Sequence, residues 1–165
     1  MKRFTFGTPE KLVPSYYCKG FSYVGTPISY PESRFEARMT PRGFLIEFPI
    51  EDDAHIYGFG LQLKQFDQRG RKLRLAVNAD PASANGDSHA PVPFFVTNKG
   101  YGMYFDTARY IEVYCGYRKH TGAEKADNGE SRVMTSTDEL YAVRESCGAV
   151  MSVLIPGAQG VDVYV

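Results

Sequence analysis

Two short clusters, Asn78-Ala79-Asp80 and Asp87-Ser88-His89, gather the side chains best suited to chemistry into one stretch, 78–91. A pair of carboxylates is what glycoside cleavage requires, one as acid and one as base or nucleophile across the scissile bond. A single loop Asp, Asp80 or Asp87, can also accept hydrogen bonds from sugar hydroxyls, and its commonest role is to close an Asx-turn. Asp87, Ser88 and His89 are adjacent and so make no hydrolase triad, whose members meet in space around a nucleophile elbow that this chain lacks. His55, His89 and His120 are far apart, with neither the i, i+4 spacing of a helical zinc site nor a Cys beside them. His55 and His120 read as ordinary strand or turn residues. Cys18, Cys115 and Cys147 form no CxxC pair and are expected to be reduced, partly buried thiols. Gly58-Phe59-Gly60 is too short for a dinucleotide fingerprint and no helix follows it, so it reads as a hairpin or bulge, as do Gly100 and Gly102. From these residues no metal site and no nucleotide cofactor is expected.

The elements around these clusters read as strands. Phe44, Ile46 and Phe48 alternate with Leu45 and Glu47, and Leu73, Leu75 and Val77 alternate with Lys72, Arg74 and Ala76. A period of two sends one set of side chains to a core face. Further apolar runs are 93–96, 102–105, 110–114, 131–134, 140–144, 149–155 and 161–165, and Asn98-Lys99-Gly100 is a hairpin turn between two of them. Ser136-Thr137-Asp138-Glu139 fits a capping box, yet Tyr141 and Val143 keep the strand alternation, and strand is the preferred reading there. The 16 Gly and 10 Pro are spread along the whole chain and favour short strands over long helices. The 165 residues fit one ordinary domain and fall short of a (β/α)₈ barrel, which needs about 250. With 19 basic and 19 acidic side chains the net charge is zero, which argues against a nucleic-acid partner. The densest basic run, Arg69 to Arg74, reads as a solvated strand edge. No secretory signal and no apolar span of about 20 residues is visible, so a cytoplasmic protein without membrane contact is expected.

Taken in order, Ile56-Tyr57-Gly58-Phe59-Gly60, Phe66-Asp67-Gln68-Arg69-Gly70, Leu75-Ala76-Val77-Asn78-Ala79-Asp80, Ala90 to Val96 and Gly100 to Asp106 form a recognisable succession. It resembles the N-terminal β-sandwich of glycoside hydrolase family 31, the α-glucosidase and α-xylosidase family. The closing Ile155-Pro156-Gly157 and Val161-Asp162-Val163-Tyr164 resemble the end of that sandwich. The resemblance implies an all-β chain, an antiparallel β-sandwich of the galactose-mutarotase-like supersandwich type. It implies residues 1–19 as an N-terminal extension or first strand, and 20–165 as the sandwich, N-terminal to a catalytic barrel that these residues do not include. The barrel would bring the Asp pair of a retaining mechanism, so the chain alone is expected to be inactive. The partners implied are that C-terminal barrel and, through the complete enzyme, a carbohydrate substrate. Asn78-Ala79-Asp80 matches the family's N-x-D loop, which makes Asp80, with Asn78, a sugar contact by resemblance. His89 stands near the place of a family Tyr and would be an aromatic wall of the sugar site. Pro81 and Ala82 depart from the Thr that many α-glucosidases carry after the Asp, which leaves α-xylosidase- or α-galactosidase-like specificity open. A stand-alone carbohydrate-binding module and an aldose epimerase are the alternatives.

Overall fold

A computed structural model describes residues 2–11, 30–81, 85–116 and 150–165. Among them are ten strands: β1 (Arg3–Gly7), β2 (Glu36–Thr40), β3 (Gly43–Pro49), β4 (Ile56–Gly58), β5 (Lys72–Leu75), β6 (Phe94–Thr97), β7 (Gly102–Asp106), β8 (Ile111–Cys115), β9 (Val150–Pro156) and β10 (Gly160–Tyr164). They form two five-stranded antiparallel sheets, ordered β1-β10-β7-β6-β4 and β2-β3-β9-β8-β5. The expected all-β antiparallel sandwich is therefore the observed fold. Arg3–Gly7, either an extension or a first strand by sequence, is strand β1 at the edge of the first sheet. His120, Cys18, Cys147 and the runs 131–134 and 140–144 lie outside the described residues.

The alternation seen in the sequence becomes the core. Phe44, Ile46 and Phe48 of β3 pair in register with Ile155, Val153 and Met151 of β9, and all six are buried. From the first sheet, Phe95 of β6 pairs with Met103 of β7, and Phe105 with Val163 of β10. The two inner faces meet at an aromatic cluster, where the Phe48 ring lies 6.2 Å from Phe95, 6.3 Å from Phe105 and 5.4 Å from Phe35. Offset and edge contacts of this kind add stability beyond the area they bury. The hairpin expected at Asn98-Lys99-Gly100 joins β6 to β7, with Gly100 at φ 81°.

Two readings change. Leu73 and Leu75 are buried as expected, but Val77 is 78% exposed, because β5 ends at Leu75 and the chain turns out toward residue 88. Arg71 is not on a solvated edge: it is 2% exposed, and its Nη1 donates to Gln68 Oε1 at 2.7 Å. Burying a guanidinium is tolerated where hydrogen bonds satisfy it. Cys115 is buried too, and desolvation pushes its thiol well above the ordinary range even against the nearby Arg71 charge. That makes it an inert packing residue rather than a nucleophile.

Candidate functional site

The site is built outward from the end of β4. There Gly58, Phe59 and Gly60, read from the sequence as a hairpin or bulge, have φ of 124°, 64° and 82°, a left-handed turn. A Cβ at Gly58 would lie 2.7 Å from the Phe94 carbonyl oxygen, and one at Gly60 2.0 Å from that of Ala90. Only glycine permits such close backbone approach at these angles. Phe59 takes the same unusual conformation with its ring fully buried against Phe95, centroids 5.5 Å apart, and its N–H donating to the Phe94 carbonyl. Packing holds the strained residue in place.

Behind this turn the segment Phe66 to Arg71 acts as a clasp. The Asp67 carboxylate accepts from the backbone N–H of Ile56 at 3.1 Å and of Arg69 at 3.0 Å, and pairs with the His55 ring at 2.6 Å. Burial alone would raise the Asp67 carboxyl, but the His55 ring and the two N–H groups outweigh it and hold the group below the usual carboxylate range. Arg69 donates to the carbonyls of Glu51 and Ala54. Gln68 is fully buried, and its Nε2 donates to the carbonyls of Gln65 and Phe66. His55, read as an ordinary residue, is thus the ring that hydrogen-bonds the clasp through Asp67.

The loop of interest begins where β5 ends. Ser88 N–H donates to Ala76 O at 3.1 Å and Asn78 N–H donates to Ser88 O at 2.9 Å, so a short parallel bridge closes the loop's neck. Two Asx-turns shape it: Asn78 Oδ1 accepts from Asp80 N–H at 3.0 Å, and Asn85 Oδ1 accepts from Asp87 N–H at 2.9 Å. The turns are therefore made by the Asn residues, which leaves the Asp80 carboxylate outside the local turn bonding. Gln62 Nε2 braces the loop from β4's side, donating to Gly86 O at 3.1 Å and Phe59 O at 3.2 Å. Gly86 sits at φ 99°, where a Cβ would meet Arg74 N at 2.8 Å.

Of the residues singled out by sequence, Asp80 is exposed, Asn78 half-buried and His89 exposed. Asn78 and Asp80 are joined by the Asx-turn, and the bridge through Ser88 sets His89 at the same neck. His89 also lines a small pocket of about 70 Å³ with Leu61, Leu63, Pro81 and Ser88, whereas Asp80 and Asn78 do not. The residue that sequence reasoning missed is Gln62, which no motif marks; Ser88, read beside Asp87 and His89, serves through its backbone. A second, wider groove of about 860 Å³ crosses the outer face of the other sheet. Several of its polar groups are paired: Arg38 with Glu47 at 2.6 Å, Ser152 Oγ donating to Glu47 at 2.8 Å, and Arg42 with Glu112 beside the groove. Among the described residues no cluster of three or more His, Cys, Asp or Glu could hold a metal ion.

A two-sheet antiparallel sandwich with an outward loop, fixed at its neck and carrying a free carboxylate, defines the class: a β-sandwich domain of the galactose-mutarotase-like type. Residues 28–113, just over half the chain, match the model of the glycosyl hydrolase 31 N-terminal galactose mutarotase-like domain, and the chain belongs to that family. Solved structures with a similar trace include a cycloalternan-degrading enzyme from Trueperella pyogenes, 18% identical with a TM-score of 0.49, matched over 82% of this chain and 18% of that one. Another is a GH31 dextranase from Flavobacterium johnsoniae complexed with glucose, 16% identical with a TM-score of 0.48, matched over 81% of this chain and 13% of that one. The chain thus spans less than a fifth of the length of these structures. No curated protein sequence matches it.

Proposed function

We propose that this chain is the substrate-loop domain of a retaining family 31 α-glycosidase, packed on a catalytic barrel that supplies the reacting carboxylates. The observation that carries this reading is the loop on a domain of this family: its neck is pinned by the Ala76–Ser88–Asn78 bridge while the Asp80 carboxylate stays exposed. A carboxylate on a pinned loop is pre-organised to accept hydrogen bonds from sugar hydroxyls, so little ordering cost is paid on binding. Asn78 sets the turn that aims Asp80, and His89 offers a ring and a ring nitrogen at the same neck. The sugar and linkage are of the α-glucoside, α-xyloside or α-galactoside type.

Two outcomes test this. The chain by itself is expected to release no p-nitrophenol from any aryl α-glycoside, since a retaining mechanism needs two carboxyl groups about 5 Å apart across one bond. Turnover by the pure 165-residue chain would overturn the reading. In the full-length polypeptide Asp80→Ala is expected to lower kcat/KM by roughly 10- to 100-fold, the loss of a charge-assisted hydrogen bond to substrate. An exposed loop residue of this kind should leave the unfolding midpoint within about 0.5 kcal/mol of wild type. Unchanged kinetics on oligosaccharide substrates would remove Asp80 from the site.

A further inference from the structure

The outer face of the second sheet carries two cross-strand rows that the core does not use. Glu36, Glu47, Ser152 and Tyr114 stand opposite one another across β2, β3, β9 and β8, and Arg38, Leu45, Leu154 and Glu112 form the neighbouring row. Ile46, Val153 and Val113 alternate with them and are buried in the core, so both rows face away from it. Apart from Glu112, the residues of both rows line the groove of about 860 Å³, a size within the ~300–1,000 Å³ of small-molecule sites. Glu47 is held at both oxygens, by Ser152 Oγ at 2.8 Å and by Arg38 Nη2 at 2.6 Å. The rest of the Arg38 guanidinium keeps N–H donors for a further partner. Glu36 has no ion pair and no side-chain hydrogen bond among the described residues, and it stands directly opposite Glu47. Like charges set opposite each other on neighbouring strands cost stability. A placement that folding does not favour points to a use for the pair.

We infer that this groove is a second binding site, for a neutral oligosaccharide of roughly two or three pyranose rings, separate from the Asp80 loop. The charges decide the class of ligand. Arg34 lies 3.6 Å from Glu51, Arg38 pairs with Glu47 and Arg42 with Glu112, so each of these guanidinium groups has a carboxylate beside it. Such balance gives an ionic ligand little net field to follow. It gives a hydroxyl, which both donates and accepts, a donor in Arg38 and an acceptor in Glu36 on one strand. Leu45 and Leu154 pair in register and make an apolar floor suited to the C–H face of a pyranose. Rows on alternate residues lie about 7 Å apart, so one ring can meet the polar row and the apolar floor together. Glu36 and Arg38 stand on β2, four strand spacings or about 19 Å from β5, where the Asp80 loop begins. A sugar held at β2 leaves that loop free, and the inference stands without any role for Asp80.

Amide NMR of the 165-residue chain, titrated with maltotriose and with isomaltotriose, tests this without any need for activity. Saturable shifts are expected at Glu36, Leu45, Glu47 and Ser152 with at least one of the two sugars. Glu36→Ala should weaken that binding about ten-fold, the loss of a hydrogen bond to a charged group. Because Glu36 is exposed, this variant should leave the sandwich folded. Leu45→Asp, which sets a charge on the apolar floor, should abolish the saturable shifts. Trigalacturonate, which is acidic, and the glucosamine trimer, which is cationic, should bind more weakly than the neutral sugar. Tighter binding of either charged probe would overturn the inference, as would an affinity that Glu36→Ala leaves unchanged. Groove amides that move with protein concentration alone would overturn it too, marking a second copy of the chain as the occupant. Sugar shifts confined to residues 78–89 would remove the groove site and leave the Asp80 reading intact. Groove shifts in a chain whose full-length polypeptide cleaves no α-glycoside would do the reverse.

Discussion

Asp67→Ala is expected to destabilise the domain by about 3 kcal/mol, a fall in Tm of roughly 6–12 °C for a chain of this size. The mechanism is local and specific. Asp67 is the acceptor for the N–H groups of Ile56 and Arg69 and the hydrogen-bond partner of the His55 ring, so its loss strands two backbone donors and unfastens β4 from the clasp. Unmade hydrogen bonds cost more than made ones contribute, because the stranded donors have already lost water. Asp67→Asn, which keeps one acceptor oxygen, should recover part of the loss. The pH dependence has a definite sign. A carboxyl held below its unfolded value contributes stability above the unfolded range, near pH 4, and loses it as pH falls through the folded value. The difference between wild type and Asp67→Ala, measured by urea midpoints, should therefore be full at pH 7 and shrink as the pH drops below about 4. A difference that stays constant down to pH 2 would show that the clasp acts without the carboxylate charge.

That prediction touches a motif with two meanings. Phe66-Asp67-Gln68-Arg69-Gly70 was one of the marks of resemblance to family 31, yet Asp67, Gln68 and Arg69 each spend side-chain hydrogen bonds on building the turn. The family pattern could be read because such turns need particular residues at fixed positions, and the same need makes the motif informative about fold and silent about sugar. Strand β3 was legible because Phe44, Ile46 and Phe48 alternate without interruption and lie at the heart of their sheet. Val77 misled because alternation cannot report where a strand stops; the bridge to Ser88, separate in sequence but adjacent in the fold, follows the end of β5. Arg71 misled because charge suggests solvent, whereas its burial depends on Gln68, a partner whose side chain carries no pattern. The loop's chemistry was legible only as residue types. Which Asp stays free was decided by Asn85, whose Nδ2 donates to Asp87 Oδ2 at 3.2 Å while Asn78 takes only the Asp80 N–H. The exposed Phe66 and Leu63 could not be seen at all, since hydrophobicity in a sequence announces a core and only the fold shows surface left over.

The largest loss of stability is expected at the seam between the sheets. Phe48 is 1% exposed, extends from β3 into the first sheet, and meets Phe95, Phe105 and Phe35 at once. Phe48→Ala removes the ring and leaves a cavity that the surrounding rings, each fixed in a different strand or at a strand start, cannot close; about 3–5 kcal/mol should be lost. Against a total of roughly 5–15 kcal/mol for an ordinary domain, that is enough to leave much of the population unfolded at body temperature. Phe48→Leu keeps most of the volume and should return a large part of the stability, while Tyr110→Ala, at an exposed ring, should shift it by no more than about 0.5 kcal/mol. Urea unfolding of the three variants separates packing from a general intolerance of substitution. If Phe48→Ala moved the midpoint no further than Tyr110→Ala, the two sheets would not be joined through this cluster. The consequence for function runs through the same seam. Gly58-Phe59-Gly60 is seated on Phe95, and Phe95 on Phe48, so loosening the core at Phe48 also loosens the turn from which Gln62 braces the Asp80 loop. On the proposed function, Phe48→Leu in a polypeptide that includes the catalytic barrel is therefore expected to raise KM more than it lowers kcat, because a less firmly held loop would weaken sugar binding before it disturbed the reacting carboxylates.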